Sequence, residues 1–192
     1  MTIHPIEAES YRILAERVDL SAFGPKSAAV VARVIHASAD LEYATTMVVD
    51  DAAVEAGLAA LRAGAPVLAD VEMVRNGIRG ADVVCGLGVS GGDTPTRSAA
   101  GMRAAAQAHP DGAVVVVGCA PTALDEVLRL HEAGALRPAL VVGLPVGFVG
   151  AADAKARLRA SGLRAISNVG DKGGSAVAVA AVNALVRMAS GG

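Results

Sequence analysis

Apolar positions along the chain come in two rhythms. Segments of eight to seventeen residues carry apolar side chains at helical spacing, and between them lie short strand-like runs, several of them apolar throughout. The helical segments are 5–18, 25–38, 51–63, a short one at 70–77, then 95–108, 121–133, 150–160 and 173–189. Pro5 and Pro25 suit the first turn of a helix, and Asp50-Asp51 and Gly64 bracket the third segment. On the first helix Ile6, Ser10, Ile13 and Arg17 fall along one stripe. The strand-like runs are 65–69, 81–85 (ADVVC), 113–117, 139–142 and 164–168 (RAISN), fully apolar at 113–117 and 139–142, and the segment 42–49 (EYATTMVV) is also rich in strand-forming residues. Strand runs without alternation are buried on both faces, and strands spaced by helices make crossovers onto a parallel sheet. The pattern predicts an α/β fold, three layers deep (α/β/α), with a mostly parallel sheet of about five strands. No linker or internal repeat interrupts it, so residues 1–192 read as one domain.

Composition agrees with that pattern. Hydrophobic residues make up 53% and charged residues 19%, the opposite of a disordered chain. Most of the apolar share is Ala and Val, which suits close packing of helices on a sheet. The net charge of -2 gives neither a nucleic-acid nor an anionic-membrane footprint. No apolar run approaches the length of a membrane span, and the first residues lack the apolar core of a signal peptide. Two cysteines, Cys85 and Cys119, cannot form a disulfide framework. The expectation is a cytoplasmic protein. Of the 17 basic residues 14 are Arg, which suits an anionic small ligand but follows equally from GC-rich coding.

In a parallel sheet of this kind ligands bind at the carboxyl ends of the strands. Those ends are 69–70, 86–97, 118–122, 143–150 and 169–175, all rich in Gly, Pro, Ser and Thr. Such loops can turn backbone N–H groups toward ligand oxygens, although strand-to-helix turns need glycine in any case. The run Gly86-Leu87-Gly88-Val89-Ser90-Gly91 matches the dinucleotide fingerprint G-x-G-x-x-G. Its last glycine should lie inside the opening helix, yet Gly92-Asp93-Thr94-Pro95 follows. The next strand ends in Gly118-Cys119-Ala120, where a ribose-binding acid would stand. Both departures argue against a nucleotide. No spacing of His, Cys and Asp points to a metal.

Of the four histidines, His36 stands apart at the end of the second helix. A helix carbonyl end favours a cation, and Ala28 and Ala32 on the same face leave room for a large ligand. A histidine that only caps the helix would look the same. Arg97 falls at a helix start, where a cation opposes the dipole and an anionic partner would justify it, with Thr96 and Ser98 as accompanying donors. A solvent-facing Arg97 is the competing reading. A cysteine nucleophile lacks any partner placed by sequence.

At these residues the chain resembles a known family. Arg33-Val34-Ile35-His36-Ala37, Gly64-Ala65-Pro66, Glu72-Met73-Val74, Thr96-Arg97-Ser98-Ala99-Ala100 and Ala120-Pro121-Thr122-Ala123-Leu124 occur in that order. The run Gly143-Leu144-Pro145-Val146-Gly147-Phe148-Val149-Gly150 and then Gly173-Gly174-Ser175-Ala176 complete the series. Together they resemble precorrin-8X methylmutase, or precorrin isomerase, of cobalamin biosynthesis, over roughly residues 8 to 188. The run around Val146 and Gly147 is the specific part. The resemblance implies an intramolecular methyl shift from C-11 to C-12 of precorrin-8X, giving hydrogenobyrinic acid, or of cobalt-precorrin-8, giving cobyrinic acid. It implies no cofactor and no metal, and a homodimer with the tetrapyrrole near the subunit interface. His36 corresponds to the family's catalytic His, which protonates the macrocycle. Ser10 and Arg97 match positions associated with the site. Thr96 and Ser98, Pro121 and Thr122, Val146 and Gly147, and Gly173, Gly174 and Ser175 are the other expected substrate contacts. Two departures stand out: a short stretch after Gly86, and Gly77-Ile78-Arg79 where many members carry a Thr. A non-catalytic tetrapyrrole carrier would share the loops and differ in lacking a working His36.

Overall fold

The computed structural model describes residues 4–88 and 94–191. Among them the elements run α1 (Pro5–Arg17), α2 (Pro25–Ser38), α3 (Tyr43–Thr46), β1 (Met47–Val48), α4 (Asp51–Arg62), β2 (Val67–Ala69), α5 (Glu72–Gly77) and β3 (Val83–Cys85). They continue with α6 (Arg97–Ala108), β4 (Val114–Val117), α7 (Pro121–Glu132), β5 (Leu140–Gly143), α8 (Ala151–Ala160), β6 (Ala165–Asn168) and α9 (Ser175–Ala189). The six strands form one sheet in the order β1-β6-β5-β4-β2-β3. Every neighbouring pair is parallel except β1 with β6.

Strand β4 shows why the chain makes three layers. All four valines are fully buried, and side chains alternate across a strand. Val114 and Val116 face one apolar layer, built with Leu14, α2, α4, α5 and α9. Val115 and Val117 face the other, built with α6, α7 and α8. Burying each such side chain contributes roughly 1.5–3 kcal/mol, so the central strand is held from both sides.

Helix starts follow local chemistry. Asp50 caps α4 by accepting from the Ala53 N–H at 2.6 Å, and Thr96 caps α6 through Ala99. Helix α2 opens on Gly24-Pro25 without a cap of its own. Asp51 supplies one from across the fold, accepting from both the N–H and the Oγ of Ser27 at 2.8 Å. A side chain at Gly24 would run into that carboxylate, at 2.4 Å from Asp51 Oδ2.

The segment 42–49 differs from its strand-like sequence. Tyr43–Thr46 form a helical turn, and only Met47 and Val48 join the sheet. Thr45 and Thr46 each donate a side-chain hydroxyl to the Glu42 carbonyl at 3.0 Å, a local bond that overrides β-propensity. The sheet therefore has six strands, the extra one being this antiparallel edge. No helix among the described residues is long and apolar enough to cross a membrane.

Candidate active site

His36 sits half-buried in the last turn of α2, with α1 packed beside it. Two consecutive residues of α1 reach it. Ser10 Oγ lies 2.8 Å from His36 Nδ1, and the Tyr11 ring stacks on the imidazole at 5.0 Å between centroids and 15° between planes. Nδ1 is thereby occupied, while Nε2 has no partner among the described residues. The near end of α1 is held by Glu7, whose Oε1 accepts from both Arg33 of α2 and Arg187 of α9 at 3.1 Å. Ala28 and Ala32 do border open space, but it lies along Tyr11 and its lining does not include His36. A cleft of about 380 Å³ runs along Tyr11, Ala29, Ala32, Arg33 and Arg187, and a shallower groove on the other side of Tyr11 reaches Ala28.

The second part of the site lies at the carboxyl ends of the parallel strands. Strand β3 lies on one side of β2 and β4 on the other, so the ends of β2 and β4 form the switch point of the sheet. Asp70 is buried there, with its carboxylate against three successive backbone N–H groups. Oδ1 accepts from Gly118 at 3.1 Å, and Oδ2 from Cys119 at 2.8 Å and Ala120 at 2.9 Å. Burial pushes this carboxyl above the usual range, against the pull of the three N–H groups. The expectation that residues 118–122 offer their N–H groups to a ligand is corrected accordingly. Three are committed to Asp70, and Pro121 has none.

The loops after β4, β5 and β6 close on one another. Thr96 Oγ1 and Thr122 Oγ1 stand 2.7 Å apart, joining the starts of α6 and α7. Gly174 donates to the Leu144 carbonyl at 2.8 Å, and Gly147 to the Asp171 carbonyl at 3.2 Å. Gly173 passes so close that a Cβ there would lie 2.4 Å from the Leu144 oxygen. Pro121 and Val146 border the same cluster, facing Gly150 and Gly174. The N–H groups of Ser175, Ala176 and Val177 open α9 and meet no acceptor among the described residues, and Gly174 gives no side-chain cap. Arg97, at the start of α6, is exposed and has no ion pair among the described residues, whereas Ser98 is half-buried. Around this rim stand exposed apolar side chains: Met73, Val146, Val149, Val169 and Phe148, the last 96% exposed.

The two parts are linked by Lys172. Its ammonium pairs with Asp40 and Glu42, both at 2.7 Å. Asp40 lies four residues after His36, and Lys172 immediately precedes Gly173. Among the described residues no hydrogen bond joins His36 itself to the loops, so the structure brings Ser10 to His36, and Thr96 to Thr122, as two groups.

Other candidates resolve simply. Gly86 is a packing glycine: its added Cβ would lie 2.1 Å from the Gly101 carbonyl oxygen on α6. Val89, Ser90 and Gly91, the rest of the short stretch after Gly86, lie outside the described residues. Burial pushes both thiols, Cys85 and Cys119, upward, away from nucleophile character. Arg79 is exposed and, among the described residues, gives only its backbone N–H, to Asn183 Oδ1. Among the described residues no three His, Cys, Asp or Glu are placed to hold a metal. Tyr11 and Asp70 escape a sequence reading: each meets its partner only through the fold, and the sole hint for Asp70 is an acid ending an apolar strand.

A family profile described as CbiC, precorrin-8X methylmutase, matches residues 5–188. The chain belongs to the precorrin-8X methylmutase family. It is thus an enzyme, a methylmutase of cobalamin biosynthesis. The cobalt-precorrin-8 methylmutase of Methanocaldococcus jannaschii is 39% identical, over 92% of this chain and 86% of the relative. The precorrin-8X methylmutase of Pseudomonas aeruginosa is 38% identical, over 94% and 93%. The crystal structure of precorrin-8X methyl mutase from Thermus thermophilus superposes with a TM-score of 0.86 at 40% identity, covering 98% of both chains. The α/β/α architecture expected from the sequence is thus that of a solved methylmutase.

Proposed function

We propose that this methylmutase moves a methyl group from C-11 to C-12 of precorrin-8X, or of cobalt-precorrin-8, with His36 as proton donor. The observation that carries the reading is the state of the His36 ring. Ser10 holds Nδ1, Tyr11 fixes the plane, and Nε2 is left for a ligand. The product is an isomer of the substrate. One carbon–methyl bond breaks as another forms, and a proton lent at one ring position is returned from another. Such a shift needs neither nucleophile nor redox group. It needs a placed acid, which supplies about 10²- to 10⁴-fold, and a rigid seat for the ring.

The seat is the loop cluster. Val146, Gly147, Gly173, Gly174 and Ser175, with Pro121 and Thr122, would border the macrocycle, and apolar Met73, Phe148 and Val149 suit its faces. Its carboxylates would be received by Arg97, with Thr96 and Ser98 beside it, and by the open N–H groups of α9. The exposed apolar rim also supports a homodimer with the site near the interface. In this reading residues 1–192 act as one cytoplasmic domain without a cofactor.

The test is turnover of precorrin-8X and of its cobalt form by wild type and by His36→Ala, beside absorbance titration with hydrogenobyrinic acid. Binding by both proteins with turnover only by wild type is expected. Binding without turnover of either substrate by wild type would make the chain a carrier. Turnover retained by His36→Ala would remove the histidine from the chemistry.

A further inference from the structure

Lys155 on α8 has none of its surface exposed, and no carboxylate stands within ion-pair distance of it among the described residues. A lysine is almost never fully buried without a pair. Its ammonium is instead spent on one loop. Nζ donates to Asn168 Oδ1 at 3.0 Å and to the Lys172 carbonyl at 2.6 Å. Asn168, also buried, donates through Nδ2 to the same Lys172 carbonyl at 2.9 Å and to that of Val169 at 3.2 Å. Arg159 closes the set on the Asn168 carbonyl at 2.7 Å. Of the three carbonyls held in the segment 168–172, Lys155 takes that of Lys172 directly, the Asn168 amide that it orients takes those of Lys172 and Val169, and Arg159 takes that of Asn168. Burial pushes the Lys155 ammonium down to about 8, Arg159 adds to the push, and Asp171 opposes it. An apolar side chain of the same length would avoid that desolvation, so stability alone does not account for the lysine.

The segment it grips leads into the site. Gly170 and Gly174 take positive φ, and Gly173 is pressed against the Leu144 and Pro145 oxygens. The side chain of Lys172 turns outward to Asp40 and Glu42 behind His36. We propose that Lys155 is a positioning residue for substrate binding: from beneath the sheet's edge it fixes the backbone that presents Gly173, Gly174 and Ser175 and carries Lys172 to the end of α2. The proposal rests on the methylmutase reading, since only there is this loop a substrate seat.

Lys155→Met keeps the length and removes the donor. Its KM for precorrin-8X is expected to rise about tenfold as the loop must be ordered on binding, with kcat within about threefold of wild type. The amides of 173–177 should exchange faster, and by more than those of the sheet, while the orphaned Asn168 Oδ1 lowers the melting temperature by several degrees. A folded variant with unchanged KM and unchanged exchange overturns the proposal. Should Lys155→Met not fold, Asn168→Ala, which removes the oxygen that Lys155 holds, is read the same way. If neither folds, Lys155 belongs to the fold and the proposal falls. Wild type that turns over neither substrate sinks the methylmutase reading instead, and amide exchange alone then decides the anchoring.

Discussion

Ser10 Oγ and His36 Nδ1 stand 2.8 Å apart although 26 residues separate them along the chain. One belongs to α1, which buries only Leu14, and the other to the last turn of α2, which is packed along its length. The weaker helix therefore orients the ring of the stronger one. The orientation matters because a bond on Nδ1 determines what Nε2 can give or take.

Ser10→Ala should accordingly lower turnover while leaving KM near its wild-type value. Partners that fix the second nitrogen of a functional histidine are worth about 10- to 100-fold where they orient metal-bound rings, and a fall of that size is expected in kcat. Steady-state kinetics on both proteins make the comparison. A kcat within about twofold of wild type would leave Ser10 as a surface contact.

Glu126 gives the fold a pH dependence. Burial pushes its carboxyl up, but Arg129 and Arg103 outweigh that and hold it at about 2. The unfolded chain keeps the ordinary value near 4.5. Between these values the unfolded state binds more protons, so stability falls as acid is added through that window and is fully present above it. Urea unfolding of wild type and Glu126→Gln from pH 5 to pH 2 should show the difference between them shrinking toward the acid end. A constant difference would mean the two arginines do not act on this carboxylate. Since Arg103 lies on α6, the same bond keeps α6 beside α7, where Thr96 meets Thr122.

Gly101 tests whether the glycine that opens the G-x-G-x-x-G run serves packing. A Cβ at this position would lie 2.7 Å from the Gly86 carbonyl carbon and 2.8 Å from the Leu87 nitrogen, both backbone atoms that cannot turn aside. Gly101→Ala should destabilise by about 1–3 kcal/mol, the usual range for overpacking. Chemical denaturation with an unchanged slope would read it. A loss below about 0.5 kcal/mol, the size of an ordinary surface change, would show that α6 can move away freely.

Much of this molecule was legible in its sequence where one local signal governs. Pro25 and the apolar spacing placed α2 at 25–38, and the unbroken valines of 114–117 placed a central strand. The family run through Val146 and Gly147 placed the loops. Illegible parts depend on groups distant in sequence. The N–H groups of 118–120 look available until Asp70, some fifty residues earlier, is found beneath them. Lys155 reads as one more surface charge in AADAKARLRA until β6 and its loop cover it. At 43–46 the two threonine hydroxyls reversed what their β-propensity suggested.

The packing of α2 against α9 also bears on how the protein is made. Val30, Val31 and Val34 of α2 share one apolar layer with Val177, Ala181 and Leu185 of α9, which come roughly 150 residues later in the sequence. Contacts so far apart in sequence are slow to form, since a long loop must close first. The nascent chain therefore keeps Val30, Val31 and Val34 without these partners until α9 has emerged. Until then that apolar surface is open to aggregation, so the burial of α2 depends on the last helix of the layer.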